Sequence, residues 1–160
     1  MKLTRRTLLA GAATLMAAPA VANSDTIADM VVIFKASRRL VLYNNGQPIR
    51  DYDIGLGWAP AGDKSIQGDG RTPEGSYYIN RRNPNSAYHL SLGISYPNPS
   101  QRAAAAAAGQ NPGGDIFIHG GQGKRRQEGD WTAGCIAVSD AEIEEIWQMV
   151  PNGALVVIQP

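Results

Sequence analysis

The chain has 160 residues with 15 basic and 14 acidic side chains, and its formal net charge is +1 at pH 7. A charge so close to zero, without a basic run interleaved with aromatic residues, argues against nucleic acid as a partner. Cysteine occurs once, which excludes an intramolecular disulfide. At this length we expect one domain with a sizeable core.

The beginning of the chain has the pattern of an export signal. Three basic side chains are followed by an apolar stretch over residues 8–18 and by small residues up to Ala22. The stretch is well short of the ~20 residues that span a bilayer as a helix. The start resembles a twin-arginine signal, and an ordinary secretory signal is the alternative. We therefore expect residues 1–22 to be cleaved and residues 23–160 to form one domain in the periplasm or cell envelope, without a stable membrane span.

Short strand patterns separated by turns follow. The predicted strands are Met30 to Phe34, Leu40 to Tyr43, Tyr52 to Trp58, Tyr77 to Ile79, Tyr88 to Ile94, Ile116 to His119, Ile136 to Val138 and Leu155 to Ile158. The first two form a predicted hairpin, and Asn44-Asn45-Gly46 predicts a tight turn because Asn and Gly tolerate positive φ. In the third and fifth strands the alternation predicts one buried face, which includes Trp58 and Tyr88.

Two segments favour a helix. Ser139 and the glutamate three residues later match a capping box, and apolar residues between Ile143 and Val150 recur on one face. The alanine run 103–108 has the highest intrinsic helix propensity, with an irregular insert as the alternative. Pro97 to Pro99 predicts a break in regular structure. The fold class is therefore mainly β, with one helix after the strand that carries the cysteine and a second, short alanine-rich helix as an option.

The chemistry centres on Cys135, in the run Thr132-Ala133-Gly134-Cys135-Ile136, and on His119. A lone thiol with a histidine elsewhere in the chain is a candidate nucleophile with a general base. In the two predicted strands, the isoleucines beside both residues face the protein core. The thiol and the imidazole therefore point to the opposite face. They meet in a cleft if the two strands are neighbours. A buried, inert cysteine is the alternative.

Gly134, directly before the thiol, predicts an oxyanion hole. The backbone N–H groups of Gly134, Cys135 and Ala133 are the candidate donors to the oxyanion of a tetrahedral intermediate. A glycine at this point lets substrate approach without a Cβ in the way. The alternative is that Gly134 serves only a turn or a bulge.

Further residues near the pair are candidate substrate contacts, namely Thr132, Trp131, Gly120 and His89. Trp131 would stack on sugar or peptide, with core packing as the alternative. His89 lies on the polar face of its strand, where a surface role is the alternative. The basic run Lys124-Arg125-Arg126 would attract carboxylates or form a solvated loop. One cysteine and two histidines are too few ligands, at unsuitable spacing, for zinc.

The order of these motifs resembles a known family. Ile118-His119-Gly120, followed at this spacing by Thr132-Ala133-Gly134-Cys135-Ile136, is similar to the motif of the YkuD-type L,D-transpeptidase catalytic domain family. The segment Leu40 to Gly46 resembles the family's opening hairpin, and Arg71-Thr72-Pro73-Glu74-Gly75 its Thr-Pro-x-Gly loop. The resemblance covers residues 33–158, which is nearly the whole chain after the predicted signal.

This resemblance implies a β-sandwich and acyl transfer on peptidoglycan stem peptides. Cys135 would attack the carbonyl of the third stem residue, a diamino acid, release the terminal D-alanine and form a thioester. The side-chain amine of another stem would then resolve the thioester into a cross-link. His119 would take the thiol proton and return it to the leaving amine, with no metal or organic cofactor. Carbapenem acylation of the cysteine is a further trait of the family.

The sequence departs from the family pattern at two positions. Ala133 stands where many members have a second histidine, and Ala137 where many have an arginine. These changes leave the donor and acceptor specificity open. The stretch from Asp130 to Trp147 is similar to a subgroup with hydrolytic relatives, so a cysteine hydrolase that releases peptides or proteins from peptidoglycan is an alternative. A non-catalytic cell-wall-binding domain is another.

Overall fold

The computed structural model describes residues 26–123 and 128–160. The predicted export signal and the run Lys124-Arg125-Arg126 lie outside the described residues. The described part contains β1 (Met30–Phe34), β2 (Arg39–Asn44), β3 (Gln47–Asp53), β4 (Gly75–Ser86), β5 (His89–Ile94), α1 (Pro99–Ala107), β6 (Phe117–His119), β7 (Ile136–Ala137), α2 (Asp140–Met149) and β8 (Leu155–Gln159). The chain is mainly β, as the sequence predicts.

The strands form one curled sheet in the order β3-β2-β1-β8-β4-β5-β6-β7. The long strand β4 joins its two halves, because residues 75–78 pair with β8 and later residues pair with β5. The sheet curls until the segment after β3 reaches β7, where Gly55 forms an antiparallel bridge with Ala137. The two halves therefore face each other across a single core, which is the sandwich arrangement expected from the family resemblance.

One hydrophobic cluster fills the space between the two halves. It includes Val31, Leu40 and Val156 from one half and Leu92 and Ile136 from the other, all without exposed surface. Because apolar burial contributes roughly 25 cal/mol per Å², this shared core is the main force that keeps the sheet curled. The helix α2 packs against β5 and β6 and adds its own apolar face to the cluster.

The hairpin and the C-terminal helix follow the sequence prediction. Asn45 (φ 49°) and Gly46 (φ 76°) form the turn between β2 and β3, where the positive φ values match the residue types. The Ser139 side chain accepts a hydrogen bond from the Glu142 backbone N–H at the start of α2. The Glu142 carboxylate in turn accepts one from the Ser139 backbone N–H at 2.8 Å. Ile143 and Ile146 face the core. Within the described residues no helix is long and apolar enough to cross a membrane.

The alanine-rich segment is helical but begins earlier than the alanine run. Asn98 is the N-cap of α1, Pro99 stands in the first turn, and Gln101 completes a capping box. Proline is favoured in the first turn of a helix because its missing N–H would have no partner there. The expected break at Pro97 to Pro99 is therefore the start signal of α1.

The predicted strand Tyr52 to Trp58 is too long. β3 ends at Asp53, and Trp58 is 59% exposed instead of facing the core. At Gly57, after β3, the backbone passes too close to another segment for a side chain, since a Cβ there would lie 2.0 Å from the Gly70 carbonyl oxygen. The Trp58 ring instead lies against Gly70, on the surface.

We expect Ser139→Ala to lower the free energy of unfolding by about 1 kcal/mol, because the first turn of α2 loses its cap. Urea unfolding of the purified domain measures this change. Ser65→Ala is a matched control in an exposed loop, where the hydroxyl bonds to no described residue, and it should change stability by less than about 0.5 kcal/mol. Equal effects of the two substitutions would contradict the capping role.

Candidate active site

The parallel pairing of β6 with β7 brings the thiol and the imidazole together. Ile118 lies opposite Ile136, His119 lies opposite Ala137, and Cys135 directly precedes β7. Both isoleucines are fully buried in the core. Because side chains alternate along a strand, His119 and Cys135 lie on the other face. Both line the same cleft, next to Ser91 and Phe117.

A backbone carbonyl fixes the tautomer of His119. The ring Nδ1 lies 2.6 Å from the Gly120 carbonyl oxygen. A carbonyl can only accept, so in the neutral ring Nδ1 carries the proton and Nε2 keeps a free lone pair. A Cβ on Gly120 would lie 2.7 Å from Asp140 Oδ1 and 2.8 Å from the Tyr88 carbonyl oxygen, which leaves room only for glycine.

Two aromatic rings hold the plane of the imidazole. Tyr88 stacks on His119 with ring centroids 4.6 Å apart and planes at 26°, and Trp131 meets it edge-on at 5.7 Å. Trp131 is itself held by a 2.6 Å hydrogen bond from its Nε1–H to Gln122 Oε1. His119 is only 3% exposed as a result. The rings therefore restrict the imidazole and shield it from bulk water.

Burial favours the neutral forms of both groups. It lowers the pKa of His119, against the smaller effect of the Gly120 hydrogen bond. Burial also raises the pKa of the Cys135 thiol; a hydrogen bond from the Phe117 backbone and the charge of Lys64 act in the opposite direction. At neutral pH the resting pair is therefore a thiol beside a neutral imidazole. The chemistry open to such a pair is general-base catalysis, in which the proton moves as the sulfur attacks.

Thr132 holds the turn that carries the nucleophile. Its hydroxyl donates to the Cys135 carbonyl oxygen at 2.7 Å and accepts from the Gly134 N–H at 3.1 Å. The turn is also tied to the segment after β3, because the Thr132 N–H donates to the Leu56 carbonyl oxygen and the Trp58 N–H donates to the Thr132 carbonyl oxygen. The nucleophile is thus held by side chain and backbone together.

Gly134 has a structural role that the sequence left open. Its φ is +132°, and a Cβ there would lie 2.6 Å from the Arg71 carbonyl oxygen. Its N–H is already donated to Thr132, so it is not free to bind an oxyanion. Within residues 26–123 and 128–160, the N–H groups of Ala133 and Cys135 donate to no protein atom. These two are the remaining donor candidates.

The thiol also contacts a strained backbone position. Cys135 Sγ lies 3.5 Å from the carbonyl oxygen of Asp115, whose φ is +56° although it is not a glycine. The Asp115 carboxylate is paired with Arg81 at 2.7 Å, and the Arg81 guanidinium lies 4.4 Å from the centre of the Phe117 ring. This chain of contacts holds the Asp115 carbonyl against the sulfur. A non-glycine residue at positive φ persists only where its surroundings fix it.

Two clefts meet at Cys135. The larger, of about 630 Å³, is lined mostly by glycine and polar residues and includes Lys64 and Ala133. The smaller, of about 290 Å³, contains His119 together with Tyr88. Cys135 and Asp115 line both. The nucleophile is therefore open from two sides, with the acid–base group on one side only.

The structure brings some of the predicted site residues together and not others. Thr132, Trp131 and Gly120 lie in the site, but their contacts position Cys135 and His119, and none of the three lines either cleft. His89 lines neither cleft, and its ring pairs with Glu144 of α2 at 2.7 Å on the surface, which agrees with the alternative of a surface role. Because its φ is +73°, His89 departs from the strand alternation that had placed it on the polar face.

Sequence reasoning missed three residues of the site. Tyr88 was expected in the core, and Asp115 and Lys64 carried no motif. Asp115 contributes through its backbone, and Lys64 comes from a distant loop, so no local pattern identifies them. Among the described residues, no three His, Cys, Asp or Glu side chains are grouped closely enough to hold a metal ion.

With the fold and the Cys–His site in place, comparison with known proteins identifies the family. The model of the L,D-transpeptidase catalytic domain, YkuD, matches residues 28–158. The chain belongs to this family. It is 35% identical over 138 residues to the protein of Escherichia coli K12 that is named "Putative L,D-transpeptidase YafK". This match covers 81% of the chain and 50% of YafK, so the chain spans about half the length of that relative.

Solved structures agree with the family at the level of the fold. The helical cell shape determining protein Pgp2 from Campylobacter jejuni is 27% identical with a TM-score of 0.63, covering 81% of this chain and 46% of Pgp2. An L,D-transpeptidase from Xylanimonas cellulosilytica is 14% identical with a TM-score of 0.55, covering 84% of this chain and 61% of that one. The curled sheet and its two helices are therefore the architecture of this family.

We expect Gly134→Ala to lower the free energy of unfolding by more than about 2 kcal/mol, because a positive-φ penalty of about 1–2 kcal/mol adds to a backbone clash. Gly75→Ala is the matched control, with a similar φ of +119° and only ordinary contacts with the Tyr77 side chain, at 3.6 Å or more, around the added Cβ. It should show the φ penalty alone. Denaturant unfolding of both variants measures the difference, and equal losses would remove the clash with Arg71 from the explanation.

Proposed function

We propose that the chain is a cysteine acyltransferase that acts on peptidoglycan stem peptides as an L,D-transpeptidase. One observation carries the proposal: the Cys135 thiol and the His119 imidazole lie on one face of two paired parallel strands and line one cleft. The His119 Nε2 lone pair is left free by the Nδ1–H bond to Gly120. The site therefore offers a candidate nucleophile and, in the same cleft, a candidate base with a free lone pair.

In the proposed first step, Cys135 Sγ attacks the carbonyl of the acyl donor while its proton passes to His119 Nε2. The tetrahedral intermediate places its oxyanion near the N–H groups of Cys135 and Ala133, which bond to no other described residue. When the intermediate collapses, the C–N bond breaks and His119 gives the proton to the departing amine. The product of this step is a thioester on Cys135 and a free amine.

In the second step an incoming amine attacks the thioester, His119 takes one of its protons, and the sulfur leaves as a thiol with that proton. The new amide joins two stems. Because both clefts open on Cys135, the donor stays in one while the leaving amine and the acceptor exchange in the other. The neutral resting pair supports this scheme, since His119 must begin each step as a free base.

Hydrolysis of the thioester is the second candidate. Asp115 is the only acidic residue that lines the smaller cleft, and its carboxylate is already paired with Arg81. No other acidic side chain among the described lining residues is available to hold a cationic amine there, which favours water as the acceptor. The enzyme would then be a cysteine hydrolase that shortens stems or releases peptides and proteins from the wall.

The proposed location of the protein is the periplasm or cell envelope. The predicted signal at residues 1–22 supports export of a catalytic domain over residues 23–160. Pgp2 is named for helical cell shape, and a role in cell shape and cell-wall biogenesis for this chain is proposed on that likeness. No cofactor enters the proposed reaction, because the thiol, imidazole and N–H groups supply every step.

We expect a carbapenem to acylate Cys135, and His119→Ala to slow the reaction by about 10²–10⁴. His89→Ala, on the surface beside α2, is the matched control and should keep the rate. Because the pKa of His119 is lowered from 6.5, the imidazole stays a free base as the pH falls through that value, and the rate should decline only below it. Intact-protein mass spectrometry over time measures the rates. Acylation of His119→Ala at the rate of the unmodified protein would exclude the proposed base.

Tetrapeptide muropeptides distinguish transfer from hydrolysis. D-alanine is released in either case, because it departs when the thioester forms; if the acceptor is an amine we expect cross-linked dimers, and if it is water we expect shortened monomers without dimers. Cys135→Ala should form neither product and serves as the control. Mass spectrometry of the digest reads both outcomes, and the absence of any product from the folded, unmodified protein would favour a non-catalytic wall-binding domain.

A further inference from the structure

Two lysines are buried among the residues that the structure describes, and they differ in how their ammonium groups are satisfied. Lys35 is 2% exposed and donates all three N–H bonds, to the Gly62 and Thr72 carbonyl oxygens and to Glu74 Oε1 at 2.6–3.0 Å. It ties the loop after β3 to the end of β1. Its bonding capacity is filled by the protein, so its role is structural.

Lys64 is 5% exposed but has only two partners. Its Nζ donates to the Ile66 carbonyl oxygen at 3.0 Å and to Asp69 Oδ1 at 2.7 Å. Among the described residues no acceptor is found for its third N–H. An unsatisfied donor on a buried charge is costly, so a third acceptor from outside the protein would stabilise it.

The third acceptor of Lys64 would come from the larger cleft. Lys64 lines this cleft together with Cys135 and Ala133. The charge of Lys64 acts on the thiol, since it is one of the influences that lower the pKa of Cys135 against the effect of burial. Arg81 acts on the thiol in the same direction, but it does not line the larger cleft. Because Lys64 and Cys135 both line that cleft, a molecule that reaches the sulfur from it can also contact the cation.

Asp69 does not cancel this cation completely. Its carboxylate also accepts from the backbone N–H groups of Ser65, Ile66 and Arg71 at 2.9–3.1 Å. Those bonds and Lys64 outweigh burial and lower the pKa of Asp69 to about 2, so it stays ionised at every pH at which the protein would work. Because three amide dipoles share in balancing the carboxylate, part of the Lys64 charge remains available to a second anion.

The two clefts define which part of the substrate meets Lys64. His119 protonates the leaving amine, so that amine must lie in the smaller cleft with His119. The acyl part of the donor then occupies the larger cleft. We propose that Lys64 is a specificity-determining residue that binds a carboxylate carried by the acyl part of the donor, and not by the leaving amine. The placement of the acyl part in the larger cleft and of the leaving amine in the smaller one rests on the proposed function. The preference for an anion beside Cys135 does not.

The first test reads the anion preference with the thiol alone. The probes are iodoacetate, which is anionic, and iodoacetamide, its neutral analogue, and the readout is the ratio of their alkylation rates at Cys135. The thiolate fraction cancels in this ratio. Relative to a free-cysteine peptide, we expect the unmodified protein to favour iodoacetate, and Lys64→Met to lower the ratio by about fivefold, the factor given by a charge interaction of about 1 kcal/mol.

Lys35→Met is the matched control, since it removes a buried lysine that does not line the cleft. It should leave the ratio unchanged whatever it does to stability. If Lys64→Met does not fold, the unmodified protein still decides the point: a ratio equal to that of the free peptide and insensitive to salt overturns the proposal. An unchanged ratio in folded Lys64→Met also overturns it.

The second test uses two donor peptides that differ only in a carboxylate or a carboxamide on the acyl residue. We expect Lys64→Met to raise KM for the carboxylate peptide by about tenfold and to leave the carboxamide peptide unchanged, which removes the discrimination between them. Equal losses with both peptides would indicate a structural role and overturn the proposal. If neither peptide reacts with the unmodified protein, the proposed function fails, while the alkylation ratio still tests Lys64.

Discussion

The site depends on the parallel pairing of β6 with β7. This pair places Cys135 and His119 on one face, because Ile118 and Ile136 commit the opposite face to the core. Strands this short are held by what surrounds them. The curl of the sheet supplies that support, since the bridge from Gly55 to Ala137 presses the segment after β3 against β7. The hydrophobic core that bends the sheet therefore also brings Cys135 and His119 to one cleft.

Burial has two effects on the chemistry, and they act together. The rings of Tyr88 and Trp131 exclude water from His119, which lowers its pKa and keeps it a base. Burial also raises the pKa of Cys135, which favours the protonated thiol over the more reactive thiolate at neutral pH. The reactivity of a neutral pair of this kind depends on how the thiol and the imidazole are oriented, more than on a resting population of thiolate. The bonds of Thr132 and of the Gly120 carbonyl supply that orientation.

Charge is distributed unevenly about the nucleophile. The larger cleft has a buried cation, Lys64, and the smaller one has the His119 imidazole, while Asp115, whose carboxylate is paired with Arg81, lines both. An asymmetric field of this kind orients a substrate before reaction, because only one end of it carries the matching charge. Neither position that departs from the family motif, Ala133 or Ala137, offers a charge of its own. In the proposed function, donor selection would then rest on the loop that carries Lys64.

The sequence by itself determined the strand pattern, the cap of α2, and the Cys135 and His119 motifs, because periodicity, capping and short motifs are local properties. Only the tertiary structure decided the rest. Trp58 lies on the surface against Gly70, and His89 pairs with a helix that lies far along the chain. The partners of the thiol come from distant loops, and their positions follow from how the sheet curls, which no local pattern records.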